Sequence, residues 1–274
     1  MALNSPTPPT GAWIKQWLGS FLTRRGPAVV DPDDEAPLAK LKSGWNLLEV
    51  VGVYVLVFVL GYVYAYFVQD YVYGLSYSLF GDWADQAQFA IATSLEMSIL
   101  VWLVGVVARR SGGAWRDVGV VRKVSWAPVL IGLASGFVIY YLVGFCDYIV
   151  SLIGGIRPNE HPVVAIVNEA RNWREMVLPM LLAGLAVPLG EEVFFRGFAY
   201  PALRNRLGVW PAIIVTGLAF ALLHFDPFGL LALTAAGVAL TFLYERTGSL
   251  WSVLIAHGVW NILVAAGLFI SGLR

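Results

Sequence analysis

The stretch MVLPMLLAGLAVPLGEEVFFRGFAYPAL, residues 176–203, decides how this chain folds. It is mostly apolar and longer than the roughly 20 residues that a helix needs to cross a bilayer. Glu191, Glu192 and Arg196 lie inside it, where a charged side chain is costly. Ionisable residues at membrane depth indicate a functional site, so this segment predicts both a transmembrane helix and chemistry within it.

The composition of the chain is that of a membrane protein. Its 274 residues are 58% hydrophobic and 13% charged, whereas roughly 25% of the residues in a soluble domain are charged. The formal net charge is zero, which gives no basis for binding nucleic acid. The single cysteine, Cys146, excludes an intrachain disulfide and a metal site made of several cysteines.

Apolar stretches of spanning length recur after residue 45 and predict an all-α, polytopic bundle of about seven to eight transmembrane helices. Residues 1–45 form a separate, proline-containing cytoplasmic tail whose apolar residues at helical spacing also suit an amphipathic surface helix. Residues 46–274 form the membrane domain. Within it, Asp226-Pro227 should interrupt the helical pattern. The predicted spans are 46–68, 88–108, 126–152, 176–203, 209–225, 228–245 and 250–272.

Basic residues in the predicted loops give an orientation. Thirteen Lys and Arg residues fall on the side of the N-terminus and four on the opposite side. Because cytoplasmic loops are enriched in Lys and Arg, we expect an integral protein of the plasma membrane with its N-terminus in the cytoplasm.

Four polar side chains on three predicted helices fall at similar depths. Counted at 1.5 Å per residue from the cytoplasmic turns, Glu191 and His224 both lie about 20 Å along adjacent antiparallel helices. On the last helix, His257 lies about 13 Å and Asn261 about 19 Å from its turn. Their i,i+4 spacing places them on one face. We therefore expect the four side chains to converge in one layer of the membrane.

These residue types indicate hydrolysis of an amide inside the membrane. A buried Glu191 that shares a water with His224 is a candidate general base. His257 and Asn261 carry donors that could stabilise the oxyanion of a tetrahedral intermediate.

Glu192 and Arg196 are spaced i,i+4, the favourable order for an ion pair on a helix. Such a pair would leave Glu191 available for catalysis. The structural alternative is that all three charges form only a buried ion-pair network. Glu96 and Asp147 lie near predicted span ends and are interpreted as packing or interfacial groups.

Two other classes of function remain open at this point. A proton-coupled transporter also uses buried Glu and His, but it should show internal repeats with paired broken helices, which this sequence lacks. A catalytically silent scaffold or immunity protein would use the fold only to bind partners. The absence of an H-E-x-x-H sequence excludes a zincin-type site on one helix.

Three short motifs lie in order on the apolar helices between residues 176 and 265, about a third of the chain. They are Glu191-Glu192-x-x-x-Arg196, Phe220-x-x-x-His224 and His257-x-x-x-Asn261. Together they resemble the motifs of the CPBP family, which contains the CAAX proteases and the bacteriocin-processing enzymes. Members are also called Abi proteins or type II CAAX prenyl endopeptidases.

The resemblance implies a membrane protease of about eight helices with a cavity that faces the cytoplasm. It implies that Glu191 activates water together with His224, and that His257 and Asn261 form the oxyanion hole. The supporting positions are Glu192, Arg196 and Phe220.

The family has been described as metalloproteases, and a metal-free, glutamic-type mechanism is the competing view. A zinc ion would be held by Glu191, His224 and His257 with water in the fourth position. Such a site would leave Asn261 unexplained, so we favour the absence of a cofactor.

The substrate class also follows only from the resemblance. Relatives trim prenylated C-terminal CAAX tails, while others serve in bacteriocin immunity and surface-protein sorting. We therefore expect an endopeptidase embedded in the lipid bilayer that acts near the membrane anchor of a protein or peptide substrate, prenylated or not.

Overall fold

A computed structural model describes residues 43–113, 115–119, 126–154, 170 and 172–272. Every regular element in these residues is a helix, and none of them forms a strand, which confirms the all-α prediction. The amphipathic helix predicted in the N-terminal tail lies outside the described residues.

A long helical hairpin opens the membrane domain. Helix α1 comprises Leu47–Val63, a π-helical segment at Tyr64–Val68, and Gln69–Phe80. Gly81 follows with a φ of +58°, a backbone conformation that favours glycine. Helix α2, Ala84–Arg110, then packs back along α1.

Both helices of the hairpin are longer than the sequence patterns predict. The first span was predicted to end at residue 68 and the second to begin at residue 88. The helices instead continue to Phe80 and begin at Ala84. The pattern of apolar residues ends at Gln69 and Asp70, but backbone hydrogen bonds within a helix do not require apolar side chains.

The remaining helices follow the predicted spans closely. A short 3-10 helix, Trp115–Val118, precedes them. These remaining helices are α3 (Trp126–Gly154), α4 (Trp173–Leu207), α5 (Val209–Leu222), α6 (Leu230–Thr247) and α7 (Leu250–Gly272).

The lengths of the helices support an integral membrane protein. Among the described residues, four continuous helical runs are long and apolar enough to cross a bilayer. The first of these runs, Leu47–Arg110, contains the α1–α2 hairpin. Helix α5 has 14 residues, which extend about 21 Å, less than the roughly 30 Å of a hydrocarbon core. The number of seven to eight spans stays a prediction.

The connection between α5 and α6 breaks where Asp226-Pro227 predicts it. Helix α5 ends at Leu222, three residues before the predicted limit. Phe225 adopts a φ of +53°, an uncommon conformation for a bulky residue. The Asp226 carboxylate then accepts a hydrogen bond from the Phe228 backbone at 3.0 Å. This turn sets the position of His224, which lies at its start.

Helices α4 and α7 approach each other closely through two glycines. A side-chain carbon on Gly258 of α7 would collide with the backbone carbonyl of Gly184 in α4. Glycine at this crossing brings α7 against α4 one residue after His257. Packing of these two helices therefore determines how the polar residues of α7 meet those of α4.

We expect Gly258→Ala to lower the free energy of unfolding by about 1–3 kcal/mol, because the added methyl group overpacks the crossing. Gly52→Ala on α1 is the matched control, since a side-chain carbon there meets nothing within 4 Å. The control should be neutral or stabilise by up to about 1 kcal/mol. Unfolding of both variants in the same detergent measures the difference. Equal stabilities would contradict the close crossing.

Candidate active site

Two π-helical segments in α4 flank the two adjacent glutamates. The first covers Leu182–Ala186 and the second Val193–Ala199, with ordinary α-helix over Val187–Glu192 between them. Such widened turns are rare and are frequently found at functional sites. They change which backbone groups of α4 are paired and which are available to neighbouring helices.

Pro188 and the first widened turn leave one backbone carbonyl of α4 without a partner in its own helix. The Val187 N–H donates to the Leu182 carbonyl, one residue further back than in an α-helix. In that register the Ala183 carbonyl would need an N–H from residue 188, and proline has none. The Asn261 side chain fills this role, since its Nδ2 donates to the Ala183 oxygen at 2.9 Å.

Glu192 and Arg196 form a fully buried ion pair within α4. Arg196 Nη1 donates to Glu192 Oε1 at 2.8 Å, and both side chains have 0% of their surface exposed. Arg196 Nη2 donates to the Gly237 carbonyl at 3.0 Å, and Nε donates to Thr241 Oγ1 at 3.3 Å. Helix α6 thus supplies two further acceptors for the arginine. A buried charge of this kind is tolerated only when it is paired and hydrogen-bonded.

The same glutamate also holds a histidine of α7. His257 Nδ1 lies 2.7 Å from Glu192 Oε1. Because Glu192 is paired with Arg196 and can only accept, we assign the proton of this hydrogen bond to His257 Nδ1. The imidazole is buried and stacks on Trp260, with ring centroids 5.2 Å apart. Its orientation is therefore set from two sides.

Glu191 lies between the two imidazoles. Its Oε1 is 3.8 Å from His224 Nε2, and its Oε2 is 3.7 Å from His257 Nε2. Both separations exceed a hydrogen bond, but each is short enough for a shared water molecule to bridge. Glu191 Oε2 is buried without a hydrogen-bond partner among the described residues. The carboxylate thus presents acceptor capacity to the space between the histidines.

His224 is oriented by a backbone carbonyl near the end of α5, the helix that precedes it. Its Nδ1 lies 2.6 Å from the Phe220 oxygen, and because a carbonyl only accepts, Nδ1 carries the proton. In the neutral ring, Nε2 then holds a lone pair directed toward Glu191. The Phe220 ring is fully buried, 4.6 Å from the His224 ring, and 5.0 Å from Arg196 Cζ. Phe220 therefore separates the arginine from this histidine.

The structure brings together Glu191, His224 and His257, each of which the sequence analysis singled out. Asn261 lies on the same face of α7, one turn from His257, but its amide is bonded to the backbone of α4. An amide nitrogen carries two N–H groups, so this bond uses one of them. The catalytic roles of these residues remain predictions.

The described side chains are not pre-arranged as a zinc site. No group of three His, Cys, Asp or Glu side chains in the described part of the chain is arranged to hold a metal ion. His224 and His257 approach different oxygens of Glu191. The donor geometry therefore lends no support to the description of the family as metalloproteases.

Sequence reasoning missed three residues that shape the site. They are Pro188, Gly237 and Thr241. Pro188, three residues before Glu191, was a visible signal, since an intrahelical proline frees a carbonyl for another partner. Gly237 and Thr241 carry no signal in the sequence, because a threonine or a backbone carbonyl in an apolar helix has no distinctive pattern.

We expect Thr241→Val to lower the free energy of unfolding by about 1–3 kcal/mol, because it leaves the Arg196 Nε–H buried without an acceptor. Thr241→Ser keeps the hydroxyl and should lose less. Chemical unfolding in detergent, followed by circular dichroism, compares the two variants. A valine variant as stable as the serine variant would contradict the contribution of this hydrogen bond.

Comparison with known proteins identifies the part of the chain that holds this site. Residues 173–263 match the family described as "Type II CAAX prenyl endopeptidase Rce1-like". The matched region begins at the first residue of α4 and ends within α7. It therefore includes all three motifs.

A curated relative agrees with this match. The protein described as "Putative membrane peptidase YdiL" of Bacillus subtilis (strain 168) is 26% identical over 139 residues, which is 50% of this chain and 54% of the relative. The chain thus spans about half the length of the relative that it matches. No solved structure gives a significant match.

Proposed function

We propose that this chain is a CAAX-type membrane endopeptidase in which Glu191 and His224 activate water, since residues 173–263 match that family and a curated peptidase relative agrees. The observation that carries the proposal is the position of Glu191 between two imidazoles, 3.8 Å from His224 and 3.7 Å from His257. A carboxylate with free acceptor capacity beside a histidine lone pair is suited to general base catalysis.

In the proposed first step, a water molecule lies between Glu191 Oε1 and His224 Nε2. His224 accepts a hydrogen bond from the water and orients it, while Glu191 takes a proton. The resulting hydroxide oxygen attacks the carbonyl carbon of the scissile peptide bond. His224 can serve in this way because its Nδ1 proton is committed to the Phe220 carbonyl.

The negative charge on the substrate oxygen requires donors. Asn261 has one N–H beyond the bond to Ala183. His257 can donate from Nε2 while Nδ1 donates to Glu192 only as an imidazolium. Because Glu192 already neutralises Arg196, this second positive charge faces Glu191 and the developing oxyanion. Pre-oriented donors of this kind stabilise an oxyanion without having to reorganise during the reaction.

In the last step, Glu191 returns its proton to the leaving nitrogen. The carbon–nitrogen bond breaks and the products are a carboxylic acid and an amine. Glu192 and Arg196 take no part in the proton transfers. They keep His257 in position, which is consistent with their complete burial.

We propose that the substrate is a protein or peptide held in the membrane by its own anchor, such as a prenyl group, and cleaved close to that anchor. The basic loops favour a plasma membrane protein with a cytoplasmic N-terminus and a site that opens toward the cytoplasm. The match to a peptidase family disfavours the transporter and scaffold alternatives.

We expect Glu191→Gln to lower the rate of peptide cleavage about 10²–10⁴-fold, because the amide cannot accept the proton of the water. Purified protein in detergent is assayed on a C-terminally farnesylated CAAX peptide and on a pooled set of membrane-protein substrates. Asp85→Asn, which removes an exposed carboxylate from the first turn of α2, is the control and should remain active. Full activity of Glu191→Gln would refute the proposed base.

We expect cleavage by the wild-type protein to be unchanged after treatment with a strong chelator, because no step of this mechanism uses a metal ion. The same assay with and without chelator measures this. Loss of activity on chelation, followed by recovery on adding zinc, would replace the proposed mechanism with one in which Glu191, His224 and His257 bind the metal.

A further inference from the structure

A small groove lies between the two helices of the α1–α2 hairpin. Its volume is about 120 Å³, well below the roughly 300–1,000 Å³ of a pocket for a drug-sized ligand. The walls are mostly aliphatic, with Val57 and Leu60 on α1 and Ile99 on α2. Two polar side chains also line it, Tyr64 and Glu96.

Glu96 is an unusual residue for its position. It lies near the middle of α2, Ala84–Arg110, and its side chain is exposed rather than packed inside the chain. A carboxylate at mid-membrane is costly and indicates a function. No hydrogen bond or ion pair joins Glu96 to another described residue. The Tyr64 hydroxyl is also buried without a partner in the described chain.

The groove is next to the candidate active site. Met97, the residue after Glu96, packs against Gly190, the residue before Glu191. This contact brings the part of α2 that carries Glu96 against the part of α4 that carries Glu191. A group bound at Glu96 would therefore lie within a few residues of a peptide bond held at Glu191.

We propose that this groove is a specificity subsite that binds a lysine or arginine side chain of the substrate, an inference that rests on the proposed peptidase function. The aliphatic walls suit the methylene stem of such a side chain, which buries readily while its charged end finds a polar partner. Glu96 supplies the opposite charge, and the Tyr64 oxygen supplies a second acceptor. The volume suits one long side chain.

The contact between Met97 and Gly190 limits where in the substrate this basic residue lies. Because an extended chain advances about 3.4 Å per residue, the basic residue should lie within a few residues of the scissile bond.

Binding of paired peptides to the full-length protein in detergent tests the subsite. Each peptide carries fluorescein and a C-terminal farnesylated cysteine, and one of six positions around the scissile bond holds either lysine or norleucine. At one of these positions, we expect the lysine peptide to bind about ten- to a hundred-fold more tightly than the norleucine peptide, as measured by fluorescence anisotropy. Glu96→Gln should abolish this preference, and Tyr64→Phe should reduce it.

Asp85→Asn removes a carboxylate from the same helix and should leave the preference unchanged. Equal or undetectable binding of both members of every pair, or a preference that survives Glu96→Gln, would overturn the subsite. Cleavage of the same peptides is followed in parallel. Binding that depends on lysine without any cleavage would support the subsite and refute the peptidase function, so the two proposals fail separately.

Discussion

The buried ion pair between Glu192 and Arg196 is the interaction on which the site depends. Two charges with no exposed surface are tolerated when they are paired and hydrogen-bonded, and removal of one partner typically costs about 3–5 kcal/mol. Arg196 finds its other acceptors on α6, and Glu192 finds its other donor in His257 on α7. One pair within α4 thus holds three helices in register and orients the histidine that faces Glu191.

The backbone of α4 makes a second, independent contribution. Its widened turns and Pro188 release a carbonyl that Asn261 then satisfies. The glycines at the crossing with α7 allow the close approach that this bond needs. His257 and Asn261 are therefore both held against α4, but by different groups. His257 is bound by the Glu192 side chain and Asn261 by a main-chain carbonyl. Both arrangements restrain groups that the proposed mechanism requires to be pre-oriented.

The proposed chemistry and the proposed specificity use opposite sides of the same segment. Glu191 faces His224 and His257, while Gly190 packs against Met97 of α2, the residue after Glu96. Three glutamates at membrane depth then have three distinct tasks. Glu192 positions its neighbouring side chains. Glu191 performs the proposed proton transfer, and Glu96 makes the proposed selection of a basic side chain. Their environments differ in the number of partners that each carboxylate has.

The sequence by itself determined the helical membrane fold and the break at Asp226-Pro227, because apolar length and proline act locally. It also predicted, from the helical rise, that Glu191, His224, His257 and Asn261 converge in one layer. The tertiary structure decided the rest. Thr241 became a partner of Arg196, Asn261 bonded to the Ala183 carbonyl, and Glu96 came to line a groove beside Glu191. Those outcomes depend on how helices cross and which backbone groups are left unpaired, and spacing along one chain does not encode either directly.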